Sequence, residues 1–312
     1  MLPARTGFIS VFGVLTIPHV TTTITLQMKR SQLTHIGIYS LLILSVVLAS
    51  CRAPTPTTNG ELIIHFIDVG QGDAILVDYG TYEMLIDGGR GDDCVAYIPN
   101  YVDGALEVMV ATHPDTDHIG GLDSVLDAFV VESIWLNGDS ASSQTYTRFM
   151  AKVNAEGAQV RSAQRGDRII LSTLSFDVLN PTLPLGSNRN ENSIVLKLSF
   201  GQVDFFFTGD AESKAEASMV SDGLIDDIAI LKVSHHGSEH CSTVNFLAAA
   251  QPEIAIYSAG VNNAYGHPSS ETIARLKNIG ASIYGTDIHG TIIVTTDGKA
   301  FDVQTEKSGR LH

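Results

Sequence analysis

Residues 112–121 read THPDTDHIGG. Four side chains able to bind a metal stand within six positions: His113, Asp115, Asp117 and His118. The stretch follows an apolar, strand-like run, Leu106–Thr112, and leads into a segment of helical spacing, Ile119–Phe129. In extended backbone alternate residues point to one side, which groups His113, Asp115 and Asp117. His118, at the start of the helix, turns back toward them. Imidazole together with carboxylate suits zinc, manganese or iron. The bland alternative is a solvated turn with an Asp cap ahead of a helix.

Working outward, the same residue types recur at other strand ends. Asp210 closes an apolar run at Phe207-Thr208-Gly209-Asp210. A carboxylate at the tip of a buried strand needs a partner. His235-His236-Gly237-Ser238 follows the apolar stretch ILKVS, and His267 sits in Tyr265-Gly266-His267-Pro268. Asp87 ends another strand at Ile86-Asp87-Gly88-Gly89. A lone His at a strand tip is more often structural than ligating. Several such clusters at strand tips point instead to one shared metal site.

The pattern between these clusters predicts strands at Leu62–Asp68, Ala74–Val77, Tyr82–Ile86, Ser133–Leu136, Gln159–Arg161, Arg168–Leu171 and Leu174–Leu179. Further strands are expected at Ile194–Phe200, Val203–Thr208, Ile228–Val233, Glu253–Tyr257, near Ile283 and at Ile292–Thr295. Helices are expected at Tyr146–Glu156, Glu212–Val220, Val244–Ala250 and Ser270–Ile279. A rhythm of strands with a few helices runs through the first half and returns after Ile194. This is an α/β chain, read as a sheet sandwich flanked by helices, with its polar clusters at strand ends, where α/β folds build sites.

The 312 residues carry 34 acids against 19 bases, a formal charge of −15, with 44% hydrophobic and only 17% charged residues. That composition excludes an intrinsically disordered chain. No long Lys/Arg run offers a footprint for nucleic-acid phosphates. The first fifty residues hold no acid and three bases, Arg5, Lys29 and Arg30, so residues 51–312 carry −18. Met28-Lys29-Arg30 opens a basic stretch, Leu41–Ala49 is a short apolar run, and Ser50 and Cys51 follow. That is the layout of a secretory signal. The run alone is too short to span a bilayer, although counting back to Ile36 leaves an uncleaved anchor open. Met28 reads as the natural start, which makes residues 1–50 a leader plus signal. Residues 51–60 read as a Pro/Thr-rich tether. Residues 61–312 are expected to form a single folded domain. Cys94 and Cys241 are left either to pair or to stay free.

Taken together, FIDVGQGDAILV, MLIDGG, THPDTDHIGGL, ENSIVLKL, FFFTGDAE, LKVSHHGS, YGHPSSETIARL and TDIHGTIIVTTDG resemble the metallo-β-lactamase-fold hydrolases. Within them the chain resembles the soluble hydrolase domain of the ComEC type of DNA-uptake protein. The motifs run in order along nearly all of residues 62–297. The resemblance implies an αββα sandwich with a metal centre at one edge of the two sheets. Leu48-Ala49-Ser50-Cys51 likewise resembles the lipobox of bacterial lipoproteins. It implies lipidation at Cys51 and an exported, membrane-anchored protein.

The resemblance also implies roles. His113, Asp115, Asp117 and His118 fall on the HxHxDH motif, with Asp115 where His is commoner. Asp210 falls on the bridging Asp and the His235-His236 pair on the last metal-binding His, with His236 favoured as the ligand and His235 as a phosphate or leaving-group contact, which spacing alone does not separate. Asp87 would support the ligand loop from behind. One metal would be held by Asp117, His118, Asp210 and His236, and the other by the poorer set of His113, Asp115 and Asp210. No His lies between Gly121 and Asp210, where many relatives carry one; Asn190 and Asn192 occupy that stretch. One or two zinc ions are expected, with manganese an alternative. Asp117 would orient water, His235 or His267 would protonate the leaving oxygen, and Ser238 and Asn192 would bind substrate. Ser238 could equally cap the next helix. The implied substrate is a phosphodiester, DNA or a small phosphoester. Esterase action on a cell-envelope substrate and a surface-anchored binding protein with a degenerate metal site are the alternatives.

Overall fold

The computed structural model describes residues 60–309 and the two strands β1 (Phe8–Ile17) and β2 (Val20–Lys29). The chain divides into two units, residues 1–55 and 56–312. In the first, β1 and β2 pair antiparallel, from Phe8 opposite Lys29 to Ile17 opposite Val20. The apolar run Leu41–Ala49, Cys51 and nearly all of the 51–60 tether lie outside the described residues. Among the described residues no helix is long and apolar enough to cross a membrane.

The second unit is built on two sheets. One is formed by β3 (Leu62–Phe66), β4 (Ile75–Asp78), β5 (Glu83–Ile86), β6 (Leu106–Ala111), β7 (Val131–Leu136), β8 (Gln159–Ser162), β16 (Ile292–Thr296) and β17 (Phe301–Thr305). Its order is β17-β16-β3-β4-β5-β6-β7-β8. The other is formed by β9 (Arg168–Leu171), β10 (Leu174–Asn180), β11 (Val195–Phe200), β12 (Val203–Phe207), β13 (Ile230–Lys232), β14 (Ile254–Tyr257) and β15 (Ser282–Gly285), in the order β15-β14-β13-β12-β11-β10-β9. Both sheets begin antiparallel and then turn parallel. The switch falls at β5 in one and at β12 in the other. This is the physical content of the rhythm that repeats along the sequence.

Strand alternation fills three layers of core. One face of each sheet meets the other around Phe66, Phe176, Phe205 and Phe207. The opposite face of the first sheet packs on α1 (Asp93–Tyr97), α2 (Thr116–Ile119), α3 (Leu122–Ala128) and α4 (Gln144–Glu156), through Leu85, Met109, Leu122 and Phe149. The opposite face of the second packs on α5 (Ser213–Ser221), α6 (Val244–Ala250) and α7 (Ser270–Asn278), through Phe206, Leu231, Phe246 and Leu276. Each fully buried Phe or Leu contributes about 1.5–3 kcal/mol of transfer free energy. The result is an αββα sandwich, as the motifs imply.

Two details differ from the sequence reading, and one that it left open is decided. The single helix expected at Ile119–Phe129 is two, α2 and α3, because Gly120-Gly121 interrupts it. A Cβ on Gly121 would lie 2.3 Å from the Gly88 carbonyl oxygen, so the chains can approach only without side chains there. The short helices α1 and α8 (Thr286–His289) carry too little periodicity to be read from sequence, and the edge strand β17, FDVQT, is not among the predicted strands although its residues alternate. Cys94 and Cys241 are both free and buried, so they do not pair.

Candidate metal centre

The polar clusters converge at the C-terminal ends of the parallel strands. Asp87 follows β5, His113 follows β6, Asp210 follows β12 and the His235-His236 pair follows β13. The loop that carries the candidate ligands is clamped by backbone. Gly88 N donates to His118 O (2.7 Å), Gly121 N to Gly89 O (3.0 Å) and Asp73 N to Asp117 O (3.1 Å). At Gly72 (φ +147°) a Cβ would sit 2.3 Å from the Asp117 carbonyl oxygen.

The three buried imidazoles are each held from behind. Asp87, buried and with φ +59°, accepts from Thr112 N (2.8 Å) and from Thr112 Oγ1 (2.6 Å). Its Oδ2 also lies 2.7 Å from His118 Nδ1, which therefore donates to it. Thr112 has given its only proton to Asp87, so its Oγ1 accepts from His113 Nδ1 at 3.2 Å. His236 Nδ1 donates to Ser258 O at 2.9 Å, with Asp73 Oδ1 at 3.3 Å. In all three rings Nδ1 is spoken for, and Nε2 presents its lone pair to one point.

That point is Asp210. Its Oδ1 lies 3.2 Å from His118 Nε2, and its Oδ2 lies 3.9 Å from His113 Nε2 and 3.6 Å from His236 Nε2. Asp117 Oδ2 stands 3.7 Å from His236 Nε2. The Nε2 atoms of His113, His118 and His236 and Oδ1 of Asp210 are buried without a hydrogen-bond partner. Unpartnered buried polar atoms are costly, and four aimed at one point match the donor set of a divalent metal. His113, His118 and Asp210 form one candidate triad, and Asp117, His118 and His236 a second. The electrostatics agree. Burial works against the charge on His118 and His236, yet Asp210 and its neighbouring carboxylates raise both pKa values. Burial and His118 push His113 down to about 4. Asp210, despite burial, is held well below the usual carboxylate range by His118 and His236. A cluster that stabilises positive charge this strongly suits a bound cation.

The remaining sequence candidates fall into three places. Asp115 is at the rim: its Oδ1 accepts from Arg189 Nε at 2.8 Å, its Oδ2 is 3.9 Å from His113 Nε2, and it joins neither triad. His235 (φ +48°) stands on the solvent side of His236 (φ +54°). Its Nε2 is 3.7 Å from Asp210 Oδ2, its Nδ1 is 3.1 Å from Glu212 Oε1, and its ring is 5.4 Å from that of His267. Burial, then His235 and His236, push His267 down to about 4. Ser238 and Asn192 are committed elsewhere. Ser238 is buried and its Oγ accepts from His240 N; Thr243, not Ser238, caps α6. Asn192 Nδ2 donates to Asp139 Oδ2 and Gly186 O, and its Oδ1 accepts from Gly186 N, which pins the loop before β11.

The sequence reading passed over Asp73 and Lys232. They form a fully buried ion pair at 2.6 Å, and Lys232 Nζ also donates to Val233 O. Burial would raise Asp73, but Lys232 and then His236 hold it below the carboxylate range. The pair places a carboxylate 3.3 Å behind His236 Nδ1, which itself donates to Ser258 O. Its signal was present: one charge inside the otherwise apolar ILKV, and one in QGDAILV.

The family profile described as Metallo-beta-lactamase superfamily matches residues 67–261. The chain belongs to that superfamily. It is 28% identical to ComE operon protein 3 of Bacillus subtilis (strain 168), over 76% of this chain and 33% of that protein. It is likewise 28% identical to Competence protein ComA of Neisseria gonorrhoeae, over 77% of this chain and 33% of that one. The chain thus spans about a third of the length of these curated relatives. Among solved structures it superposes on the metallo-beta-lactamase fold protein YhfI of Bacillus subtilis with a TM-score of 0.50 at 12% identity, covering 72% of this chain and 96% of that one.

Proposed function

We propose that this chain is an exported, metal-dependent phosphodiesterase of the ComEC-like type. The observation that carries the reading is the convergence of three imidazole Nε2 atoms and Asp210 on one point with no hydrogen bond among them. His113, His118, Asp117, His236 and Asp210 would hold one or two divalent ions, zinc or manganese. Such an ion lowers the pKa of water and offsets charge on a phosphoryl oxygen.

The side chains do the rest. Asp87 fixes the tautomer of His118 and the Ser258 carbonyl that of His236, with the Asp73–Lys232 pair placing a carboxylate beside it. Asp117 accepts the proton of the attacking water. The water oxygen bonds to phosphorus as the bond to the leaving oxygen breaks, and a proton goes to that oxygen. His235, beside Glu212 and on the open side of Asp210, supplies that proton.

The −18 charge on residues 51–312 favours a small phosphoester or a short strand over a long polynucleotide, because phosphate tracks need Lys and Arg. Leu48-Ala49-Ser50-Cys51 supports export and a lipid anchor at Cys51; Cys51→Ala would move the protein from the membrane to the soluble fraction. The activity test is a panel of bis-p-nitrophenyl phosphate, single-stranded DNA, a phosphocholine ester and a chromogenic β-lactam, each with zinc and with manganese. Hydrolysis of the first two is expected. Inactivity on every phosphodiester overturns the reading.

A further inference from the structure

Tyr265 is 58% exposed and stands beside the buried site. It does not sit on a slack loop. Asn263 Oδ1 accepts from both Tyr265 N and His267 N at 3.1 Å, and Asn263 Nδ2 donates to Gly260 O at 3.0 Å. The turn 260–267 is therefore tied down by one side chain.

Two independent routes connect this ring to the ligands. By the first, Tyr265 stacks on His267 (centroids 5.8 Å, interplanar 24°), and His267 stacks on His236 (6.3 Å, 30°). Three rings in similar orientation thus lead from solvent to a metal donor. By the second, Arg90 Nη2 donates to Tyr265 Oη at 3.3 Å and lies 3.7 Å from Asp117 Oδ2. That same Asp117 oxygen faces His236 Nε2. Arg90 is half-exposed, so its guanidinium offers planar donors to an anion at the mouth of the site.

An exposed aromatic face next to a fixed guanidinium is the pairing that binds an unstacked base with its phosphate. We propose that Tyr265 and Arg90 form a subsite for a nucleobase carried beside the scissile phosphoryl group. The base extends the Tyr265–His267–His236 stack, and Arg90 contacts the phosphate. This rests on the phosphodiesterase reading and adds to it a preference for nucleotide esters. The subsite is one residue deep, in keeping with the acidic surface.

The test compares two diesters with the same leaving group, the p-nitrophenyl ester of thymidylate and methyl p-nitrophenyl phosphate, on the metal-loaded full chain. The ratio of their kcat/KM values is expected to favour the thymidylate ester. It should fall about tenfold in Tyr265→Ala and stay within about twofold in Tyr265→Phe, which keeps the ring. An unaltered ratio in Tyr265→Ala overturns the subsite. Calorimetric titration with a thymidine dinucleotide separates the subsite from the activity. Binding weakened about fivefold by Tyr265→Ala but not by Tyr265→Phe upholds the subsite even if neither ester is cleaved. Equal binding by both, or none by wild type, overturns it.

Discussion

The two sides of the metal centre are built differently. On one side His118 and His236 are wholly buried, and each has a carboxylate behind Nδ1: Asp87 for the first, Asp73 for the second. On the other, His113 has only a hydroxyl behind it, and its neighbour Asp115 is partly exposed and taken by Arg189. The first side is pre-organised by its surroundings before any ion arrives. On the second, His113 already presents a free Nε2, but Asp115 must give up its ion pair with Arg189 before it could serve as a ligand. The difference teaches that adjacent motif residues need not be equal partners, because tautomer and orientation are set from outside the motif.

The sharpest way to break this comparison is at the residue both sides share. Asp210→Ala should reduce activity to the blank rate and leave less than one metal per chain by elemental analysis. Retained activity would mean that the shared point lies elsewhere. The next largest effect falls on the buried pair. Lys232→Met strands the Asp73 carboxylate and should destabilise the protein by about 3–5 kcal/mol in urea unfolding. The double change Asp73→Asn with Lys232→Met should recover much of that loss, leaving weakened metal binding as the residual defect.

Asp87→Asn should keep the fold but lower metal affinity about 10–100-fold, read by competition with a chelator, because His118 loses the acceptor that fixes its tautomer. On the weaker side, Asp115→Ala should cost less than about tenfold in kcat/KM with the metal count nearly unchanged. A loss as large as that of Asp210→Ala would make the two sides equal.

A smaller effect lies away from the centre. Burial, with Glu107 nearby, pushes Glu83 up to about 8. The folded state then holds a proton that the unfolded chain has lost, so stability is fully present below about pH 4.5 and is lost as pH rises through 8. Thermal midpoints of the metal-free protein should decline over that window, and Glu83→Gln should flatten the decline.

Much of the site was legible in one dimension. THPDTDHIGG, FTGD and HHGS carry metal-binding residue types at strand ends, where α/β folds build sites, although they follow strands of two different sheets. Periodicity placed most strands because alternate residues must face a core on each side of a two-faced sheet. It could not place α1 or α8, which are only five and four residues long. Nor could it say that Gly120-Gly121 splits a helix, since that follows from the approach of Gly88 across the fold.

The amino-acid order alone determined the superfamily, the layered α/β architecture and the inventory of metal-binding side chains, because each is written in local pattern and residue chemistry. Tertiary structure alone decided which inventory members converge. It set His236 in the buried cluster and His235 toward solvent, bound Asn192 into a loop, and drew Asp115 to Arg189. It also brought Asp73 to Lys232, 159 positions apart, and Tyr265 to Arg90, 175 positions apart. The reason is physical: ligand geometry depends on which side chains hold each donor from behind, and those partners come from strands and loops remote in sequence.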